Sequence, residues 1–277
     1  MRIAVLQYTP RLGDIQRNKA TCYGLLRSLI REKAQVDLVI MPELALSGYN
    51  HSSRQAIEPY LEISGEGSSF EFAADLSRTL SASVVIGYPE RSGDKCYNSA
   101  MIVNSKYQDG LLSNYRKKHL FSTDESWAHE GPSFCSIALP FRRAGALQTV
   151  TAAVGICMDL NPHQFLAPWD AYEFGHHVIE SKATLVLVPM AWLKSSDDQD
   201  PLSTMKYWLR RLGPAWAERT NLVFVAANFT GSEGTAEYAG NSCVVAQIGG
   251  LLTILGKLDR EDGLIDVKLG RFGINFE

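Results

Sequence analysis

An α/β fold is predicted by three observations: short apolar runs rich in β-branched residues recur along the chain, helix-like stretches separate several of them, and no linker interrupts the alternation. The runs give the strands. In order they are IAVLQY (3–8), VDLVIM (36–41), ASVVIGY (82–88), NSAMIVN (98–104), TVTAAVGI (149–156), TLVLVPM (184–190), LVFVAAN (222–228), SCVVAQI (242–248) and GLIDVKL (263–269). A shorter strand precedes the basic cluster in LLSNYRKKH. Several runs are apolar almost throughout, as expected of strands covered on both faces or packed sheet against sheet. Helices are predicted over 17–34, 68–80, 170–182 and 204–220. In the last, Tyr207, Trp208, Leu212 and Trp216 share one side and suit core contact, while Gly213-Pro214 should kink or break it. With no repeat, low-complexity run or Gly/Ser-rich linker, residues 1–277 read as a single domain. Irregular stretches at 44–67, 117–134 and the polar 194–201 read as functional loops.

Composition narrows the function. The chain has 277 residues, 45% hydrophobic and 21% charged, with a formal net charge of −3. Its cations are scattered, so nothing favours nucleic acid as a partner. The opening MRIAVLQYTP is too short in apolar length for a signal peptide or membrane span, and is expected to be a first strand. Five widely spaced cysteines without a CxxC pair argue for reduced thiols and an intracellular, cytoplasmic setting. No HExxH occurs, and adjacent His176 and His177 fall on different helix faces, so no metal site is expected.

Three residues stand at the ends of predicted strands. Glu43 follows a buried run that Pro42 must end. A carboxylate in such an apolar context acquires a raised pKa, which suits a general base. In the extended reading of YRKKH, Arg116 and Lys118 face one way and Tyr115 and Lys117 the other, so one lysine can point inward. Cys157 closes the small apolar run AVGIC, and its thiol needs a base or cation to become a nucleophile. Glu plus Lys suffices: the carboxylate takes the thiol proton and the ammonium stabilises an oxyanion.

These three motifs together resemble the nitrilase, or carbon–nitrogen hydrolase, superfamily, in which Glu, Lys and Cys act in that chain order. MPELALSGY is similar to its glutamate motif, YRKKHLF to its lysine motif and GICMD to its cysteine motif. MRIAVLQYTP, VVIGYPE, YNSAMIVN, VPMAW, VAANFTGSEG and GNSCVV resemble further blocks, so the likeness spans nearly the whole chain. It implies a four-layer α-β-β-α sandwich, no cofactor, and commonly a homodimer built through helices beside the site. It also implies roles: Glu43 as base, Lys117 (two places before His119) as oxyanion stabiliser, Cys157 as acyl-forming nucleophile, and the Met158 N–H completing the oxyanion hole. A second glutamate in the following loop is implied at Glu125 or Glu130, and spacing to Trp127 and Gly131 favours Glu125.

GICMDLNPHQF followed by APWDAYEFGHHVIE resembles the fungal protein N-terminal amidases, which convert N-terminal Asn and Gln to Asp and Glu in the N-degron pathway. Such a substrate presents an α-ammonium group, for which Asp159, Glu130 and Glu173 are candidate acceptors. The chain ends soon after its last strand, so no long C-terminal extension is expected to cap or widen the site. A small-molecule amidase of the same superfamily, acting on ω-amides, carbamoylated amino acids or aliphatic amides, is the alternative enzyme. A non-catalytic binding protein is disfavoured by the intact Glu43, Lys117 and Cys157.

Overall fold

The computed structural model describes every residue except Gln108, Ala144, 196–199 and Glu277, so part of the loop expected at 194–201 lies outside the described residues. The strands are β1 (Arg2–Gln7), β2 (Leu38–Ile40), β3 (Ser83–Ser92), β4 (Lys95–Val103), β5 (Leu111–Arg116), β6 (Cys135–Arg143) and β7 (Ala146–Val154). They continue as β8 (Leu185–Pro189), β9 (Val223–Ala227), β10 (Ser232–Glu233), β11 (Ala236–Glu237), β12 (Cys243–Ile248), β13 (Leu251–Lys257) and β14 (Gly263–Lys268). The helices are α1 (Ile15–Arg31), α2 (Arg54–Ile57), α3 (Gly67–Leu80), α4 (Ser122–Glu125), α5 (Glu173–Glu180), α6 (Ser203–Arg211) and α7 (Gly213–Glu218).

Among the described residues two six-stranded sheets form, ordered β14-β1-β2-β3-β4-β5 and β13-β12-β9-β8-β7-β6. Each has a parallel centre: β2 lies parallel to β1 and β3 in one, and β8 parallel to β7 and β9 in the other. The period-two alternation of strands assigns the layers. In the first sheet Ile3, Val5, Leu38, Ile40, Val85, Ala100 and Ile102 belong to the cluster shared with the second sheet. Their neighbours Ala4, Leu6, Val39, Val84, Ile86 and Met101 pack with Cys22, Leu26 and Leu29 of α1 and Phe72, Ala73 and Leu76 of α3. On the other side Phe174, Val178, Trp208, Leu212 and Trp216 from α5 to α7 join the strands of the second sheet. The result is the expected α-β-β-α sandwich, and it explains why so many strands are apolar on both faces.

Local chemistry sets the helix ends. Asp14 caps α1 by accepting from the Arg17 N–H, which satisfies one of the unpaired donors of the first turn. The stretch predicted as one helix over 204–220 breaks at Leu212 and restarts at Gly213 with Pro214 in its first turn, where the missing N–H costs nothing. The helix predicted from 170 begins only at Glu173, because Tyr172 takes a left-handed φ of 40°. Four strands were not signalled by the sequence: the two-residue β10 and β11, which pair with each other, and β6 and β13, which form opposite edges of the second sheet. No helix among the described residues is long and apolar enough to cross a membrane.

Candidate active site

Glu43 follows β2, Lys117 follows β5, Cys157 follows β7 and Ala191 follows β8, and these loops leaving both sheets meet one another. Close backbone contact fixes two of them. A Cβ on Gly87 of β3 would come within 2.6 Å of the Glu43 Cα, so only glycine lets the glutamate loop lie against the sheet. Gly131 likewise leaves room for the Arg116 carbonyl, and its N–H donates to the Lys117 carbonyl at 2.8 Å.

The structure brings Glu43 and Lys117 together. Lys117 Nζ donates to Glu43 Oε1 and to Asp124 Oδ2, each at 2.5 Å, with all three side chains fully buried. Asn98 Nδ2 bridges the same two carboxylates, at 2.7 Å from Glu43 Oε1 and 2.9 Å from Asp124 Oδ1. The Ala191 N–H donates to Glu43 Oε2 at 2.9 Å. Burial pushes the Glu43 carboxyl above its ordinary range, and Asp124 adds to this while Lys117 opposes it. Burial would lower the Lys117 ammonium, but Asp124 and Glu43 outweigh it and hold the group protonated.

Cys157 begins a single 3-10 turn, Cys157–Leu160, with a left-handed φ of 41°. A non-glycine residue there is strained, and such strain concentrates at functional sites. The thiol is 7% exposed and lies within the electrostatic reach of Glu43, Lys117 and Asp124. Burial, reinforced by Glu43, pushes its pKa well up against the opposing pull of Lys117.

A cavity of about 130 Å³ opens over Cys157 and Met158 and shares Asn161, Phe165 and Trp192 with a second cavity of about 380 Å³. The floor of the first is where a nucleophile would act, and the second continues outward past Tyr207.

Four expected site residues are placed elsewhere. Glu125 is exposed, and the carboxylate that meets Lys117 is its neighbour Asp124. In the short helix α4 successive side chains diverge by about 100°, so turning Asp124 inward turns Glu125 out. Asp159 is buried and accepts from the Ile156, Lys118 and His119 N–H groups and from the Tyr115 hydroxyl. It ties the cysteine turn to the lysine loop with both oxygens engaged inside the protein, and it does not line the cavity. Glu130 sits at the surface beside His163 and Lys118. Glu173 accepts from the His163 N–H at 3.1 Å and faces Arg211 at 3.7 Å, and neither of these acids lines the cavity. Sequence reasoning missed Asp124 and Asn98. Asp124 had one usable signal: it stands three residues before Trp127, which is also buried.

Comparison with known proteins supplies a context for this geometry. The carbon–nitrogen hydrolase profile matches residues 2–271. The protein N-terminal amidase of Saccharomyces cerevisiae is 34% identical over 214 residues, which is 72% of this chain and 46% of that protein. The chain therefore spans about half the length of that relative. The protein N-terminal amidase of Schizosaccharomyces pombe is 29% identical over 288 residues, 96% of this chain and 98% of that one. A crystal structure of N-terminal amidase with an Asn-Glu peptide superimposes with a TM-score of 0.85 at 22% identity, covering 96% of each chain. That likeness is one of fold.

Proposed function

The chain belongs to the carbon–nitrogen hydrolase family, and we propose that it is a cysteine-dependent amidase that deamidates N-terminal Asn and Gln of peptides or proteins to Asp and Glu with release of ammonia. The observation that carries the chemistry is the fully buried Glu43–Lys117 pair within electrostatic reach of Cys157, whose side chain lines the cavity. Two yeast N-terminal amidases among its relatives support the choice of substrate class. So does the second cavity, which gives the chain beyond the first residue somewhere to go.

In the mechanism, the neutral Cys157 thiol gives its proton to Glu43 as sulfur attacks the carboxamide carbon. Negative charge develops on the amide oxygen. Lys117 has three N–H donors, two of them engaged with Glu43 and Asp124, and the third is assigned to this oxyanion together with the Met158 N–H. Glu43 then returns the proton to the departing nitrogen, ammonia leaves, and a thioester remains on Cys157. Water, deprotonated by Glu43, attacks the thioester and releases the carboxylate product with the thiol restored. Asp124 acts as a positioning residue that keeps Lys117 aimed and charged. No step calls for a cofactor, and a free thiol suits a reducing cytoplasm. A homodimer is part of the same reading, and light scattering on the purified chain measures it.

Ammonia release from peptides beginning with Asn or Gln, compared with their N-acetylated forms, tests the proposal. Turnover confined to the free-amine peptides is expected. Equal turnover of both, or activity only on small ω-amides and carbamoyl compounds, would move the protein to a small-molecule branch.

A further inference from the structure

We propose that the substrate α-ammonium is recognised by aromatic side chains of the catalytic cavity, chiefly Trp192 and Phe165, with the Tyr49 hydroxyl as hydrogen-bond acceptor, and by no carboxylate. This rests on the amidase reading above. In Asn the ammonium nitrogen stands three bonds from the carbon that Cys157 attacks, and in Gln four. With the carboxamide seated on the sulfur, the cation must therefore lie inside the first cavity or at its rim. Among the described residues that wall carries no acid. Tyr49, Phe121, Phe165 and Trp192 line it instead.

An ammonium taken out of water needs compensation, and the negative face of an aromatic ring supplies it without a second desolvated charge. Trp192 and Phe165 also line the second cavity, so they stand where the first residue must join the rest of the peptide. Phe165 is 58% exposed and follows Gln164, both with left-handed φ angles of 56° and 53°. Strained backbone thus holds an apolar ring out over the mouth of the site. Tyr49 adds an independent pointer: it lines the cavity, is 2% exposed, and its hydroxyl has no hydrogen-bond partner among the described residues. A buried hydroxyl left unpaired is costly until a ligand completes it. Glu43, Asp124 and Cys157 all act electrostatically on that hydroxyl, which places it beside the reacting centre.

The test compares an Asn-initiated tripeptide with its desamino analogue, in which hydrogen replaces the ammonium group. Phe165→Leu and Trp192→Leu keep an apolar wall while removing the ring. Each should raise KM for the amine peptide by about two- to thirtyfold, with little change in kcat and none in KM for the desamino analogue. Tyr49→Phe should raise the same KM, while Glu130→Gln and Glu173→Gln should leave it at the wild-type value. Equal effects of the leucine variants on both substrates would overturn the assignment, since only packing would then have been lost. So would a rise of about tenfold in the Gln variants with none in the Leu variants. If the wild-type enzyme turns over no free Asn peptide, the amidase reading itself fails and takes this one with it. Phe165 is exposed enough that its variant should fold, and melting temperatures check this.

Discussion

Glu43 and Asp159 are both buried carboxylates pushed upward in pKa by burial, yet the proposed mechanism gives the role of base to Glu43 alone. Asp159 accepts four hydrogen bonds: Oδ2 from the Ile156 N–H and the Tyr115 hydroxyl, Oδ1 from the Lys118 and His119 N–H groups. A carboxylate offers about four lone-pair positions, so its capacity is used. Glu43 accepts three, from Lys117 and Asn98 on Oε1 and from Ala191 on Oε2. One lone pair stays available on Oε2. Burial and a raised pKa therefore do not separate these two acids; the proposed base is the one that keeps spare acceptor capacity.

The comparison breaks most visibly at the reacting groups themselves. Cys157→Ala should lower ammonia release by about 10⁴-fold or more, and Glu43→Gln by about 10³-fold. Thermal denaturation should find the Cys157→Ala chain folded, because only a sulfur atom is lost from the wall of an existing cavity. Amide turnover that survived Cys157→Ala would exclude the covalent route.

Lysine substitution comes next. Lys117→Ala leaves Glu43 and Asp124 facing each other in a dry pocket, so both turnover and about 3–5 kcal/mol of stability should go. Lys118 reaches solvent and meets Glu130 only at 3.8 Å, so Lys118→Ala should cost under about 1 kcal/mol and leave catalysis nearly intact. The reverse ranking would show that the wrong lysine had been assigned.

Asp124 and Glu125 separate on activity and on pH. Asp124→Asn loosens the grip on Lys117 and should lower kcat by about a hundredfold, whereas Glu125→Gln should change little. Glu43 must be unprotonated to take the thiol proton, so activity falls as pH drops through its raised pKa. The acidic limb of kcat/KM is thus expected above the ordinary carboxylate range. Because Asp124 helps to raise that pKa, Asp124→Asn should move the limb toward lower pH. A limb that stayed in place, measured over the full profile, would assign the ionisation to another group.

How much of this was legible follows the same physics. Central strands such as LVLVP and VFVAA are covered on both faces and announced themselves as continuous apolar runs. The edge strands β6 and β13 did not. One carries Pro140 and ends in Arg142 and Arg143, and the other exposes Leu251 and Leu252, so neither has the pattern of a covered strand. Glu43, Lys117 and Cys157 were legible because proline, a basic cluster and small residues mark their loops. Asp124 was not, because one helical turn decides which of two adjacent acids faces inward. Asn98 sits in an apolar strand motif and declares its role only when two carboxylates arrive from other loops.

Among the buried acids the smallest effect on turnover should come from Asp159, and it sharpens the opening contrast. Replacing it by Asn keeps the shape but leaves one oxygen, which can serve only one of the two donor pairs. The new NH₂ group then meets the other pair donor against donor. Two buried donors lose their acceptor, and the expected cost is about 1–3 kcal/mol in stability, read as a lower melting temperature. Turnover should fall by no more than about tenfold, less than the roughly hundredfold that an ångström of misplacement produces, because no proton passes through this carboxylate. Tyr115→Phe, which removes a single donor, should cost about 1 kcal/mol. If Asp159→Asn instead abolished turnover while the melting temperature stayed unchanged, the filled carboxylate would be taking part in the chemistry, and counting spare lone pairs would no longer distinguish it from Glu43.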